Sequence, residues 1–217
     1  MALRGSATMK SEHKNRIPVF PFITVILLSF VLQEPAASAF QLKDIVSIGA
    51  AYSTHLFLHE TGHQAVAHKV GAESSKMHFF TNKKGNFYPG VSTYEDIPEE
   101  SKLPYAVAGD QMAGNTFEYA LKSYRNKPTT YNKALMFFSC MDFFVYTLLS
   151  NYINTEADMY DPNLVREETD FSKEALLSVV TVKTLINTYR MMNPDFKVAP
   201  VIWVDKTSAA LLLCFPF

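Results

Sequence analysis

The stretch that decides the fold is DIVSIGAAYSTHLFLHETGHQAVAHKV, residues 44–70. It contains no proline, and we predict that it forms one long helix. Within it, His59-Glu60-Thr61-Gly62-His63 matches the pattern H-E-x-x-H. Side chains four residues apart stand on one helix face, so the imidazoles of His59 and His63 can reach one zinc ion. Glu60 is placed to act as the general base toward a water that the zinc activates.

The third metal ligand has to come from outside this motif, because a catalytic zinc usually has three protein ligands. We predict Asp142, which lies in the most apolar segment, FFSCMDFFVYTLL (137–149). A lone carboxylate there is costly unless it is paired or coordinated. The other candidates are Asp158, Glu118, Asp195 and His55. His55 lies on the same face as His59, and we interpret it as a packed or hydrogen-bonded neighbour.

The remaining segments predict a mainly α fold, a membrane-associated helical bundle with a small β-hairpin insertion. Helices are predicted over 103–124, 133–153 and 172–192, and the hairpin over about 77–94 around the polar turn 82–86. Residues 154–171 are acidic and loop-like, and the tail 198–217 is apolar. We expect residues 40–217 to form a single metallopeptidase-like domain.

The N-terminus is typical of an export signal. Basic residues precede an apolar run over 17–32, and Ala37-Ser38-Ala39 offers a cleavage site. We predict that residues 1–39 are a signal peptide cleaved after Ala39, with an uncleaved N-terminal anchor as the alternative. Either form sends the chain to or across a membrane, and we expect it at a membrane of the cell envelope.

The composition narrows the classes of partner. The formal net charge is −1, so no basic surplus indicates a nucleic-acid binder. Charged residues make up 19% of the chain, against roughly 25% in average soluble proteins. Cys140 and Cys214 are too few for a disulfide scaffold, and both lie in apolar runs, so we interpret them as small buried side chains.

The order of the motifs resembles a known family. HETGH on a buried helix is followed by a hairpin, by AGDQMAGN (108–115) and by an apolar helix entered through MDFF (141–144). This order is similar to that of the site-2 protease family of intramembrane zinc metalloproteases. The resemblance implies that His59 and His63 bind zinc, that Glu60 is the base and that Asn115 lines the site. Asp142 stands where the family has its aspartate ligand, although phenylalanines follow it here instead of glycines.

The leading hypothesis is therefore zinc-dependent hydrolysis of a peptide bond at or within a membrane. Under this hypothesis the substrate is a peptide or a membrane protein, and the protein also contacts membrane lipid. One alternative is a secreted soluble zinc peptidase that uses Glu118 as the third ligand. The other is a non-catalytic membrane protein in which the motif binds metal or has a structural role.

Overall fold

The computed structural model describes residues 41–83, 85–153, 155 and 159–214, all within one compact unit. The predicted signal or anchor over residues 1–39 therefore lies outside the described residues. Asp158, one of the alternative ligands, lies outside them as well.

Helices dominate the described chain, which confirms the mainly α prediction. The four long helices are α1 (Leu42–Val70), α2 (Lys102–Asn126), α3 (Thr130–Leu148) and α5 (Lys173–Met192). A π-helical turn, Leu149–Ile153, extends α3, and a 3-10 turn, Glu99–Ser101, precedes α2. A short helix, α4 (Asp161–Glu167), lies in the acidic stretch that was predicted as a loop.

Two antiparallel hairpins accompany the helices. β1 (Lys76–Lys83) pairs with β2 (Asn86–Thr93), which confirms the predicted hairpin. β3 (Ala199–Val204) pairs with β4 (Ala209–Cys214), so the apolar tail folds back on itself. The sequence did not predict this second hairpin. Its turn is closed by the Asp205 N–H, which donates to the Ser208 carbonyl at 2.8 Å.

Polar side chains set where the helices begin. Thr129 and Ser172 cap α3 and α5, each accepting a hydrogen bond from the backbone N–H three residues later. Asp44, in the first turn of α1, accepts from the Gln41 N–H at 3.0 Å and from the Thr130 hydroxyl at 2.8 Å. The Asp44 carboxylate therefore joins the start of α1 to the start of α3.

α1 and α2 approach closely where α1 carries the H-E-x-x-H motif. A Cβ added at Gly62 would collide with the Ala108 carbonyl oxygen on α2. Glycine at this position therefore allows the two backbones to pack directly against each other. Further along the bundle, α1, α2 and α3 share a core that includes Ala51, Phe117 and Leu135.

α5 joins the bundle through charged side chains that point inward. Lys183 binds Asp110 on α2, and Arg190 binds Glu118 on the same helix. Lys183 and Arg190 are 9% and 2% exposed. Leu176 and Val180 of α5 are buried in the core, whereas four other large apolar side chains of α5 are exposed, namely Val182, Leu185, Tyr189 and Met192.

One helical segment among the described residues, Thr130–Ile153, is long and apolar enough to cross a membrane. The core helix of a soluble protein passes the same test, so this segment alone does not show membrane association. The two cysteines are not bonded to each other. Cys140 is buried, as interpreted from the sequence, whereas Cys214 is exposed, so the interpretation was wrong for Cys214.

Candidate metal centre

Three side chains from two helices converge near the end of α1 that faces the first hairpin. The Nε2 atoms of His59 and His63 lie 3.2 Å apart. Oδ2 of Asp161, the first residue of α4, lies 2.9 Å from Nε2 of His59 and 3.2 Å from Nε2 of His63. The two imidazoles are almost fully buried, and the Asp161 side chain is 12% exposed. These three residues could hold a metal ion.

The spacing of the donor atoms fits a small divalent cation. Two ligands on a tetrahedral zinc at 2.0–2.1 Å are separated by about 3.3 Å. The three observed separations are 2.9 to 3.2 Å, so little movement is needed. Gly109 on α2 leaves room beside them, because a Cβ there would collide with Nε2 of both His59 and His63.

A backbone carbonyl orients the His63 ring. Nδ1 of His63 lies 2.8 Å from the carbonyl oxygen of Tyr105 on α2. A carbonyl can only accept a hydrogen bond, so Nδ1 carries a proton and Nε2 is the nitrogen left to bind a cation. A metal-binding histidine is usually held in this way through its other nitrogen.

The charges around Asp161 keep it ionised. Burial raises the pKa of its carboxyl group, but His63 and His59 lower it more, to about 2. Burial likewise opposes the protonation of His63, yet the nearby Asp161 carboxylate raises the His63 pKa above its usual range. An anionic oxygen beside two inward-facing imidazole nitrogens is a donor set suited to a cation such as zinc.

Glu60 lies beside the three donors without joining them. It is 2% exposed, and its Oε2 accepts a hydrogen bond of 2.7 Å from the hydroxyl of Ser92 on β2. Burial raises the pKa of Glu60, although the charges of His59 and His63 oppose this. Gly90 allows β2 to pass over this carboxylate, since a Cβ there would lie 2.6 Å from Oε1.

Glu60 and the three donors line one small cleft. Residues of β2, α2, α3 and the segment before α4 complete its walls, among them Val91, Tyr105, Tyr146 and Met159. Its volume of about 20 Å³ is enough for roughly one water molecule. A peptide segment could enter only if one of these walls moved.

Asp142, the predicted third ligand, does not join this group. Its Oδ2 lies 2.8 Å from Nδ1 of His59, the ring nitrogen that does not face His63, and its Oδ1 lies 2.8 Å from Nε2 of His55. The prediction that a carboxylate at this apolar position needs a partner holds, but two imidazoles are the partners. Asp161, and not Asp142, is the carboxylate that lies with Nε2 of His59 and Nε2 of His63.

The other candidates lie elsewhere. Glu118 binds Arg190, and Asn115 is exposed on α2 and does not line the cleft. Asp195 is exposed in the turn after α5. His55 is a hydrogen-bonded neighbour, as interpreted, and its bond is to Asp142.

Asp161 was missed because residues 154–171 contain six acidic side chains of similar appearance. The Asp161-Pro162 pair was the available signal, since proline favours the first turn of a helix and Pro162 is the second residue of α4.

Comparison of the chain with protein-family models, with curated proteins and with solved structures finds no match. The fold and the site by themselves define a helical protein with a mostly buried group of two histidines and one aspartate that could hold a metal ion.

Proposed function

We propose that the chain is a zinc-dependent peptidase. The observation that carries this proposal is the convergence of His59, His63 and Asp161 beside the buried carboxylate of Glu60. Two histidines and one carboxylate leave the fourth position of a tetrahedral zinc open, as in catalytic sites. The order of motifs that resembles the site-2 protease family supports the same class, with Asp161 in place of Asp142 as the third ligand.

Zinc at this site would supply a Lewis acid and lower the pKa of a coordinated water. The chain's own residues would transfer the proton and orient the base. Glu60 accepts the proton of the attacking water and then passes it to the leaving amine. Ser92 holds Oε2 of Glu60, so the carboxylate keeps one orientation while Oε1 remains available for the proton.

The ligand set is tested by replacing Asp161 with alanine. Replacing a residue that only supports a metal ligand lowers metal affinity by up to about 100-fold. Removing a ligand itself should lower the affinity at least as much, so we expect zinc affinity to fall by at least about 100-fold. The measurement is zinc per chain after dialysis, together with chelator-sensitive cleavage of an unfolded, fluorescently labelled polypeptide. Asp195→Ala, at an exposed aspartate, is the control and should match wild type. If Asp161→Ala binds zinc as wild type does, Asp161 is not a zinc ligand.

A second candidate function is a structural metal site without catalysis. The narrowness of the cleft favours it, since a peptide does not fit without movement of a wall. The two functions differ in what zinc removal does. A structural site predicts a large loss of thermal stability and no hydrolysis, whereas a peptidase predicts hydrolysis that stops on chelation and returns with zinc.

We also propose that the protein works at a membrane. From residue 182 onward, α5 buries Lys183, Asn187 and Arg190 and exposes Val182, Leu185, Tyr189 and Met192, which is the reverse of the pattern of a water-facing helix. α1 likewise exposes Leu42, Ile45, Val46 and Phe57. Apolar outward faces on two helices fit contact with lipid.

Fractionation of cells tests this location. The mature protein, with its N-terminus identified by mass spectrometry, is expected to stay in the membrane pellet after high-salt and alkaline washes. It should also need detergent to remain monodisperse. A mature protein that begins after Ala39 and is fully soluble without detergent would contradict the membrane location and leave the soluble peptidase.

A further inference from the structure

A buried chain of hydrogen bonds leads from α3 to the metal centre. Oδ1 of Asp142 lies 2.8 Å from Nε2 of His55, and Oδ2 lies 2.8 Å from Nδ1 of His59. The Ser139 hydroxyl lies 3.3 Å from Nδ1 of His55. All four side chains are 6% exposed or less. None of the roles assigned above uses His55, Ser139 or Asp142.

The chemistry of the groups decides where the protons lie. An ionised carboxylate only accepts hydrogen bonds, so each imidazole nitrogen that faces Asp142 carries a proton. His59 is therefore protonated at Nδ1, and Nε2 is the nitrogen that a cation would bind, in place of the proton that Nε2 shares with Asp161 when no cation is present. His55 is protonated at Nε2, and its Nδ1 accepts from the Ser139 hydroxyl. The protons therefore form one consistent pattern from Ser139 to Nδ1 of His59.

We propose that Asp142 and His55 are positioning residues of the metal centre. Asp142 holds His59 in the tautomer and orientation that zinc binding needs, and its negative charge makes Nε2 of His59 a stronger donor. His55 holds the second oxygen of Asp142, which fixes the carboxylate in the apolar environment of α3. This inference rests on the proposed zinc site and gives it a supporting group from a third helix.

The two ligand histidines thus differ in their support. The Nδ1 proton of His63 is held by a neutral backbone carbonyl, whereas that of His59 is held by a buried carboxylate. No side-chain substitution can remove the Tyr105 carbonyl. Asp142, by contrast, can be replaced by an amide of the same shape, so its charge can be tested separately from its packing.

Asp142→Asn is the decisive variant. Its amide oxygen can still accept from His59, and its NH2 group can donate to His55 once the His55 proton moves to Nδ1, toward Ser139. The contacts are preserved while the charge is lost. We expect zinc affinity, measured by competition with a chromophoric chelator, to fall 10–100-fold. The control is Asp110→Asn, a buried carboxylate that binds Lys183, and its zinc affinity should stay within about twofold of wild type.

Two variants of His55 test the hydrogen bond between His55 and Asp142. His55→Gln keeps an N–H near the position of Nε2 and should retain most of the zinc affinity. His55→Leu removes it and should weaken zinc binding. Thermal unfolding of the same variants after chelation separates this effect from a general loss of stability.

The outcomes separate the two proposals. Asp142→Asn that binds zinc as tightly as wild type overturns the positioning role and leaves the zinc site standing. So does a second zinc ion per chain that is lost in Asp142→Asn, because Asp142 would then be a ligand. Wild-type protein that binds no zinc overturns the site itself. In zinc-loaded protein, long-range 15N–1H correlations should place the His59 proton on Nδ1, and a proton on Nε2 would contradict the proposal.

Discussion

Replacing Gly109 by alanine is expected to reduce bound zinc from about one ion per chain to nearly none. The Cβ of alanine would collide with Nε2 of both His59 and His63, the two atoms that should face the cation. The obstructing atom is attached to the backbone of α2, which packs against α1 at Gly62, so it cannot rotate away. We therefore expect the imidazoles to be pushed apart.

Gly114→Ala is the matched control, because it makes the same change on the same helix. A Cβ at Gly114 meets nothing within 4 Å. Alanine is favoured over glycine within a helix by about 0.5–1 kcal/mol, so this control should be slightly stabilised and should bind zinc normally. Zinc per chain and thermal unfolding measure both variants. Normal zinc content in Gly109→Ala would show that the cation does not lie between these imidazoles.

Glu60→Gln is expected to keep zinc and to lower the rate of peptide hydrolysis by about 10²- to 10⁴-fold. Glutamine has the shape of glutamate, and its amide oxygen can still accept the hydrogen bond from Ser92. It cannot take a proton from the attacking water, so only the base function is lost. Single-turnover cleavage measured beside zinc content separates this effect from loss of the metal.

Glu174→Gln, at an exposed glutamate in the first turn of α5, controls for the removal of one negative charge. It should cleave at the wild-type rate. A Glu60→Gln protein that cleaves as fast as wild type would mean that Glu60 is not the base. Loss of zinc in that variant would instead make Glu60 a ligand.

The helices were predictable because the signals for them are local. The absence of proline, the apolar runs and the caps at Thr129 and Ser172 all act within a few residues of the helix they define. The first hairpin follows from its polar turn in the same way. The tail hairpin was missed because Asp205 and Lys206 read as an interruption of an apolar run and not as the turn between two strands.

The candidate metal centre likewise has a part that follows from local sequence and a part that does not. His59 and His63 lie one helical turn apart, so a helix alone brings them to one face. A carboxylate in an apolar helix needs a compensating partner, and Asp142 has two, His55 and His59. Either a cation or two imidazoles can compensate a buried charge, so the sequence left the identity of the partner open.

The sequence by itself determined the long helices, the paired imidazoles of His59 and His63 and the neighbouring Glu60, because each depends on residues at most a few positions apart. Only the tertiary structure decided that Asp161, 102 residues from His59, lies against Nε2 of His59 and that Asp142 lies against its other ring nitrogen, Nδ1. Contacts over such separations depend on how α3 and α4 pack against α1. That packing depends on the shape of the whole core, including the close approach of α1 and α2 at Gly62 and Gly109. A pattern within a few residues of sequence therefore cannot predict it.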